Sequence, residues 1–339
     1  MKNLFIIVFF IIQLGIVIFS ELRAESFSNV GHAGANFLQI PAEPVGAALG
    51  NSIVASSRGV DGLYWNPGAI TNSQGTEILL STADWIIDTR LSFLGIIHNF
   101  GNYGTFGLSL MAFTMDKMEI TTELEPNGTG EYFTAGSYCF SGTYGLKLTD
   151  RFSFGGSMKY IYEQIWETHG SGISFDFGSI YQADFYNLRI GMRLANFGGS
   201  IKFEGDPIDN KSEYVQEYSE IYTSDPRLDR VSEKYSLPQQ YQIGIAIDPI
   251  HSSENRLTLL YSFNDPIDNK RQYNVGSEFA FKEFFFLRAG YKFEYEEQNL
   301  SAGLGFRFTL SGVKPQLDYA FNNFGILGSI HFMSLRIGF

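Results

Sequence analysis

The sequence predicts an all-β protein: a 14-stranded antiparallel transmembrane β-barrel with an N-terminal plug or hatch segment. Three observations carry that expectation. Strand-length segments past residue 75 alternate apolar and polar residues with period two, which gives each strand one apolar face. The opposite faces are rich in Gly, Ser and Ala, with spaced charges of both signs, and suit a crowded concave interior better than bulk water. Connections are short after even-numbered strands and include the two longest after odd-numbered ones, as at the two ends of a bacterial barrel.

Taken in order, residues 1–24 read as a signal peptide. Lys2 precedes an apolar run from Leu4 to Phe19, and the small Ala24 offers a cleavage point. An uncleaved N-terminal anchor is the alternative. No later segment reaches the ~18–20 unbroken apolar residues of a spanning helix. Residues 25–75 are the expected plug, dense in small residues, with a short helix around residues 44–51. Asn66-Pro67-Gly68 is a turn signal, since Pro fixes φ and Gly accepts positive φ. It serves either as the lead into the first strand or as a ligand contact.

Residues 76–339 carry the barrel. The fourteen strands are expected at 76–86, 91–100, 103–114, 131–148, 152–165, 171–184, 187–197, 238–248, 255–264, 272–282, 285–295, 299–310, 313–321 and 330–339. In "LSAGLGFRFTL", Leu300, Ala302, Leu304, Phe306, Phe308 and Leu310 share a face against Ser301, Gly303, Gly305, Arg307 and Thr309. The segment 285–295 sets Leu287, Ala289, Tyr291, Phe293 and Tyr295 against Arg288, Gly290, Lys292 and Glu294. The first two strands alternate least well. Arg307/Asp318 and Lys159/Asp176 lie on adjacent strands and are expected to meet inside the lumen. Aromatic belts are expected at both interfaces, with Phe100, Tyr103, Phe152, Phe185, Tyr186 and Phe285 at one and Trp85, Phe113, Trp166 and Phe263 at the other.

Composition agrees. The 339 residues are 44% hydrophobic and only 18% charged, below the ~25% of soluble domains. A formal net charge of −12 without a basic patch argues against nucleic acid. A single cysteine, Cys139, excludes an intramolecular disulfide and reads as a space-filler on the polar face. None of the five His residues sits in a nucleophile, zinc or phosphate motif, so no enzyme is expected.

One stretch is more specific. "PVGAALGNSIVASSRGVDGLYWNPGAI" resembles the N-terminal signature of the PorV/PorQ family of outer-membrane barrels, and "FLRAGYKF", "LSAGLGFRF" and "LDYAFNNFGILGSIHFMSL" follow that family's C-terminal motifs in order. Two departures are "NPG" for the usual "NPA" and a single Asp61 where a double acid is common. The resemblance implies a FadL-like fold. It further implies a partner or shuttle in protein export of the type IX secretion kind, binding exported cargo or a surface attachment complex through extracellular loops. The alternative is a FadL-type transporter of lipophilic small molecules, in which the plug moves and the solute leaves sideways. Either reading places the chain in the outer membrane of a Gram-negative-type bacterium, in contact with lipid, with both termini periplasmic.

Candidate sites are few. The loop 198–237 holds nine acidic residues between Glu204 and Glu233, interleaved with tyrosines. It is either a solvated loop or a partner surface, with Tyr214, Tyr218 and Tyr222 as contacts. "DPIDNK" occurs at 206–211 and again at 265–270. These are two similar turns or, in the sharper reading, a calcium site built from Asp206, Asp209, Asp265 and Asp268. No other cofactor is expected. The final "MSLRIGF" alternates to the terminal aromatic Phe339, which resembles the signal read by the barrel-assembly machinery.

Overall fold

A computed structural model of the chain describes residues 31–122, 124–205, 234–295, 297–310 and 312–339. The expected signal peptide, Asp206, Asp209, Tyr214, Tyr218 and Tyr222 lie outside the described residues. Fourteen long strands form the wall. They are β1 (Thr76–Asp84), β2 (Thr89–Asn99), β3 (Thr105–Met115), β4 (Ala135–Thr149), β5 (Phe152–Ile165), β6 (Thr168–Ala183) and β7 (Leu188–Gly198). They continue as β8 (Gln240–His251), β9 (Asn255–Pro266), β10 (Gln272–Phe281), β11 (Phe285–Phe293), β12 (Leu300–Arg307), β13 (Lys314–Asn323) and β14 (Ser329–Gly338).

Each strand pairs antiparallel with the next, and β1 pairs with β14 from Glu77↔Gly338 to Asp84↔His331, so no edge is left open. Closure satisfies every wall strand on both sides, the condition for crossing hydrocarbon with strands. No helix among the described residues is long and apolar enough to cross a membrane. Thr76 and Gly338 meet on the short-turn side, which in an outer-membrane barrel faces the periplasm.

The outer face is hydrocarbon-compatible. Leu300, Leu304 and Phe306 are exposed while Ser301, Gly303 and Gly305 are buried, as the alternation requires. Three expectations need correction. Trp85 follows the outward Asp84 and therefore turns inward, edge-on to Phe324 with ring centroids 5.0 Å apart. Phe113 shares the inward parity of Met111 and packs on the luminal cluster. Neither belongs to a lipid belt. Tyr295 also leaves the outer face, because β11 ends at Phe293 and Glu294 adopts φ +63°, which reverses the side-chain direction.

The lumen is filled by the segment before β1. Its helices are short: α1 (Pro44–Ala48), α2 (Gly62–Trp65) and several 3-10 turns. Inward glycines on the wall mark its level. A Cβ at Gly178 would lie 2.2 Å from Asn66 Oδ1, and one at Gly290 would lie 2.2 Å from Gly50 N. Only glycine lets wall and plug backbones approach this closely.

Candidate functional site: the stoppered lumen

The plug is held by three polar locks, one within it and two to the wall. Glu43, 1% exposed, precedes α1 and caps it, its carboxylate accepting from Val45 N at 2.5 Å and Gly46 N at 2.7 Å. The same carboxylate accepts from Trp65 Nε1 at 2.8 Å, tying α1 to α2. Burial raises its pKa to about 8, and the nearby Asp61 pushes in the same direction. Asp61 is itself raised by burial, opposed by Arg336 of β14, which donates to it. Beside this contact Val60 N donates to Glu77 of β1 at 3.0 Å.

The third lock is the Asn66-Pro67-Gly68 motif. Asn66 Nδ2 donates to Val54 O at 2.9 Å and to Ser179 O of β6 at 3.1 Å, while Oδ1 accepts from Gly68 N at 3.0 Å. Asn66 thus caps the 3-10 helix Pro67–Asn72 and anchors it to the wall. Gly68 does not adopt positive φ; its small size is what the site uses, since a Cβ there would stand 3.0 Å from Gly178 O.

Two cavities flank the stopper. The one on the short-turn side, about 160 Å3, is lined by Arg58, Arg189, Arg256, Arg288, Arg307 and Arg336 among others. Their charge is largely answered in place. Arg288 reaches Glu278 and Asp318 at 2.7 Å each, Arg256 reaches Glu278 at 2.9 Å and Glu283 at 2.8 Å, and Arg189 pairs with Asp248. The expected Arg307/Asp318 contact does not form. Asp318 stands opposite Gly305, and Arg307 stands opposite Gln316, two residues nearer the turn, so Arg288 takes the carboxylate. The expected Lys159/Asp176 pair does form, at 2.7 Å, and Arg193 joins it at 2.8 Å.

The cavity on the long-loop side, about 220 Å3, lies between the plug residues Gln39, Tyr64 and Trp65 and the wall residues Arg193, Gln242, Asn264 and Gln272. Sequence reasoning missed it because its walls come from residues 36 to 298. The available signal was parity: Gln242, Asn264, Gln272 and Asn274 all occupy inward positions on β8 to β10. Trp85 joins this cavity to a continuous apolar cluster in the lumen. That cluster includes Phe93, Met111, Cys139, Ile161 and Phe332 on the wall and Phe37, Leu38, Leu63 and Ile70 on the plug. Cys139 is buried there, on the inner face.

Of the proposed calcium ligands, Asp265 is paired with Arg271 at 3.3 Å, and Asp268 accepts two bonds from Gln39 Nε2 at 3.0 and 3.2 Å. Among the described residues no three His, Cys, Asp or Glu side chains are grouped to hold a metal. Phe339 ends exposed beside Thr76, to whose carbonyl its N–H donates at 2.9 Å.

No family model matches the chain, and no curated protein matches it. Solved structures do. A FadL homologue of Pseudomonas aeruginosa superposes with a TM-score of 0.56 at 11% identity, covering 87% of this chain and 97% of its own. The Ralstonia pickettii toluene transporter TbuX gives 0.54 at 11% identity, covering 88% and 98%. The Pseudomonas putida toluene transporter TodX gives 0.53 at 11% identity, covering 86% and 96%. These likenesses correct the expected role in protein export: two of these three barrels are described as toluene transporters and none as an export partner, and the export reading is withdrawn. The chain is an outer-membrane β-barrel of the FadL-like fold, closed by fourteen strands and stoppered from within by its own N-terminal segment.

Proposed function

We propose that the protein is an outer-membrane channel for small lipophilic molecules, entered from the long-loop side and gated by the plug. The observation that carries this reading is the continuous apolar cluster that runs along β1 to β5 and β14 and onto the plug. An apolar solute moving there trades water for side chains of its own kind and strips no charged group of its partner. The toluene transporters that share the fold support the solute class. Kinship with the PorV/PorQ barrels remains a reading of motifs and carries no export role. The same proposal divides the chain into an export signal (1–24), a stopper (25–75) and a wall (76–339), with Phe339 read by the assembly machinery.

The test is initial uptake of labelled toluene by cells with an intact outer membrane, with and without the protein. Expression raises the rate, and Phe93→Asp, which puts a charge on the apolar wall, lowers it. Equal rates with and without the protein sink the reading.

A further inference from the structure

Resting on that channel reading, we propose that the cavity on the long-loop side of the stopper selects uncharged rings bearing hydroxyl groups over bare hydrocarbon. Nine of its sixteen lining residues are Asn or Gln. An amide side chain offers donors and an acceptor without charge. A hydrocarbon seated among them would displace water from these groups and return nothing. A hydroxyl both donates and accepts, and a wall of amides answers both roles. Two of these amides are already ordered on one another, Asn264 Nδ2 donating to Gln272 Oε1 at 2.6 Å.

Formal charges surround the cavity but are held back from it. Arg193 spends one nitrogen on Asp176 at 2.8 Å and lies 5.3 Å over the Tyr64 ring. Asp268 receives Gln39, and Lys292 Nζ donates to Gln298 at 2.9 Å while covering Tyr295. The polar groups that line the cavity are therefore neutral or already paired, which favours a neutral ligand. The half-buried Trp85 supplies an aromatic face for a ring. Size sets the last condition. At about 220 Å3 the space falls below the ~300–1,000 Å3 of sites for drug-sized ligands, so one ring with its substituents fits. The ring lies toward Trp85 and the apolar wall, with its hydroxyls toward the amides of β8 to β10.

Phenolic compounds and sugars share this chemistry, and one experiment separates them. Two of the three tryptophans line the cavity, so tryptophan fluorescence of the full chain in lipid nanodiscs reports binding. The probes are resorcinol, methyl β-glucoside and toluene. The expected result is a saturable change with at least one hydroxylated probe, weakened tenfold or more by Asn264→Leu and by Gln242→Leu, and none with toluene. Resorcinol alone assigns the phenolic class, the glucoside alone the saccharide class, and both together the wider class. Circular dichroism confirms that each variant is folded, and Gln39→Leu, on the plug, tests the same cavity without touching the wall. Failure of both hydroxylated probes to saturate overturns the proposal, as does toluene binding as tight as theirs. Toluene uptake by cells is read separately: its absence with resorcinol or glucoside binding intact sinks the channel reading and spares the site, and the reverse sinks the site alone.

Discussion

From β1 to β5 and on β14 the wall meets the lumen with Leu79, Phe93, Met111, Ile161 and Phe332, whereas from β7 to β11 it meets it with Arg189, Arg193, Arg256, Glu278 and Arg288. Both sides are equally closed by backbone hydrogen bonds, so the contrast lies wholly in the side chains. Within the apolar cluster no side chain depends on a particular partner. A solute or a shifting plug replaces one hydrocarbon contact by another at little cost. On the charged side ions on β8 to β13 hold one another across the wall, through the run Glu283–Arg256–Glu278–Arg288–Asp318. The difference teaches which side is fixed scaffold and which is path.

Breaking the charged side gives the largest effect. Arg288→Met leaves Asp318 without its guanidinium and Glu278 with Arg256 alone. Removing one partner of a buried ion pair costs about 3–5 kcal/mol. On the apolar side Phe93→Leu costs under about 1.5 kcal/mol, as hydrophobic swaps of similar volume do. Thermal unfolding in detergent reads both. Equal losses would erase the distinction between the two sides.

The plug spans both sides, and pH tests how it is held. Burial raises Glu43 to about 8 from an ordinary 4.5, so the docked plug keeps a proton that a released plug gives up. Docking is therefore strongest below 4.5 and weakens as pH rises toward 8, by at most about tenfold per pH unit for one proton. Protease cleavage of the plug, followed across that range, increases with pH. Glu43→Gln flattens the dependence. A variant that keeps the wild-type slope moves the switch to another group.

Gly178→Val comes next. The new side chain meets Asn66 Oδ1 and Pro67, and overpacking of this kind costs about 1–3 kcal/mol. Because β6 keeps its ladder, the loss falls on plug docking and not on the barrel. Cleavage of the plug rises while the unfolding temperature of the wall holds. A matching fall in both would mean that plug and wall unfold as one unit.

The same contrast explains what the sequence disclosed. β7, β8, β11 and β12 were legible because their inner faces are Gly, Ser, Ala and charge, while their outer faces are Leu, Ile and Tyr. β1 and β2 were placed but alternate least clearly, because Leu79, Leu91, Phe93 and Ile97 face an apolar lumen and the outer residues face lipid, which weakens the alternation. Trp85 and Phe113 were assigned to a belt by type, although their parity pointed inward. The plug was legible from its small residues, but Asn66 as a hub was not, since its acceptors on Val54 and Ser179 are backbone carbonyls that no motif encodes. The amide cavity was hidden for a related reason: its walls come from the plug and from β7 to β10, segments far apart in sequence that only the fold brings together.

The smallest effect lies outside the barrel and sharpens the comparison. Asp84 and Arg90 pair at 3.0 Å on the outer surface, with side chains 81% and 66% exposed. If this row lies at headgroup level, where water and ions reach it, the pair is worth about 0–1 kcal/mol, and Asp84→Asn leaves the unfolding temperature almost unchanged. Thr82, Ser92 and Ala112 sit one outward row closer to the periplasm, and Leu80, Leu94 and Leu110 lie beyond them. The same test therefore locates the upper limit of hydrocarbon on this wall. A loss as large as that of Arg288→Met would mean that Arg90 is stranded in lipid when its partner is neutralised, and the boundary would have to move toward the long loops.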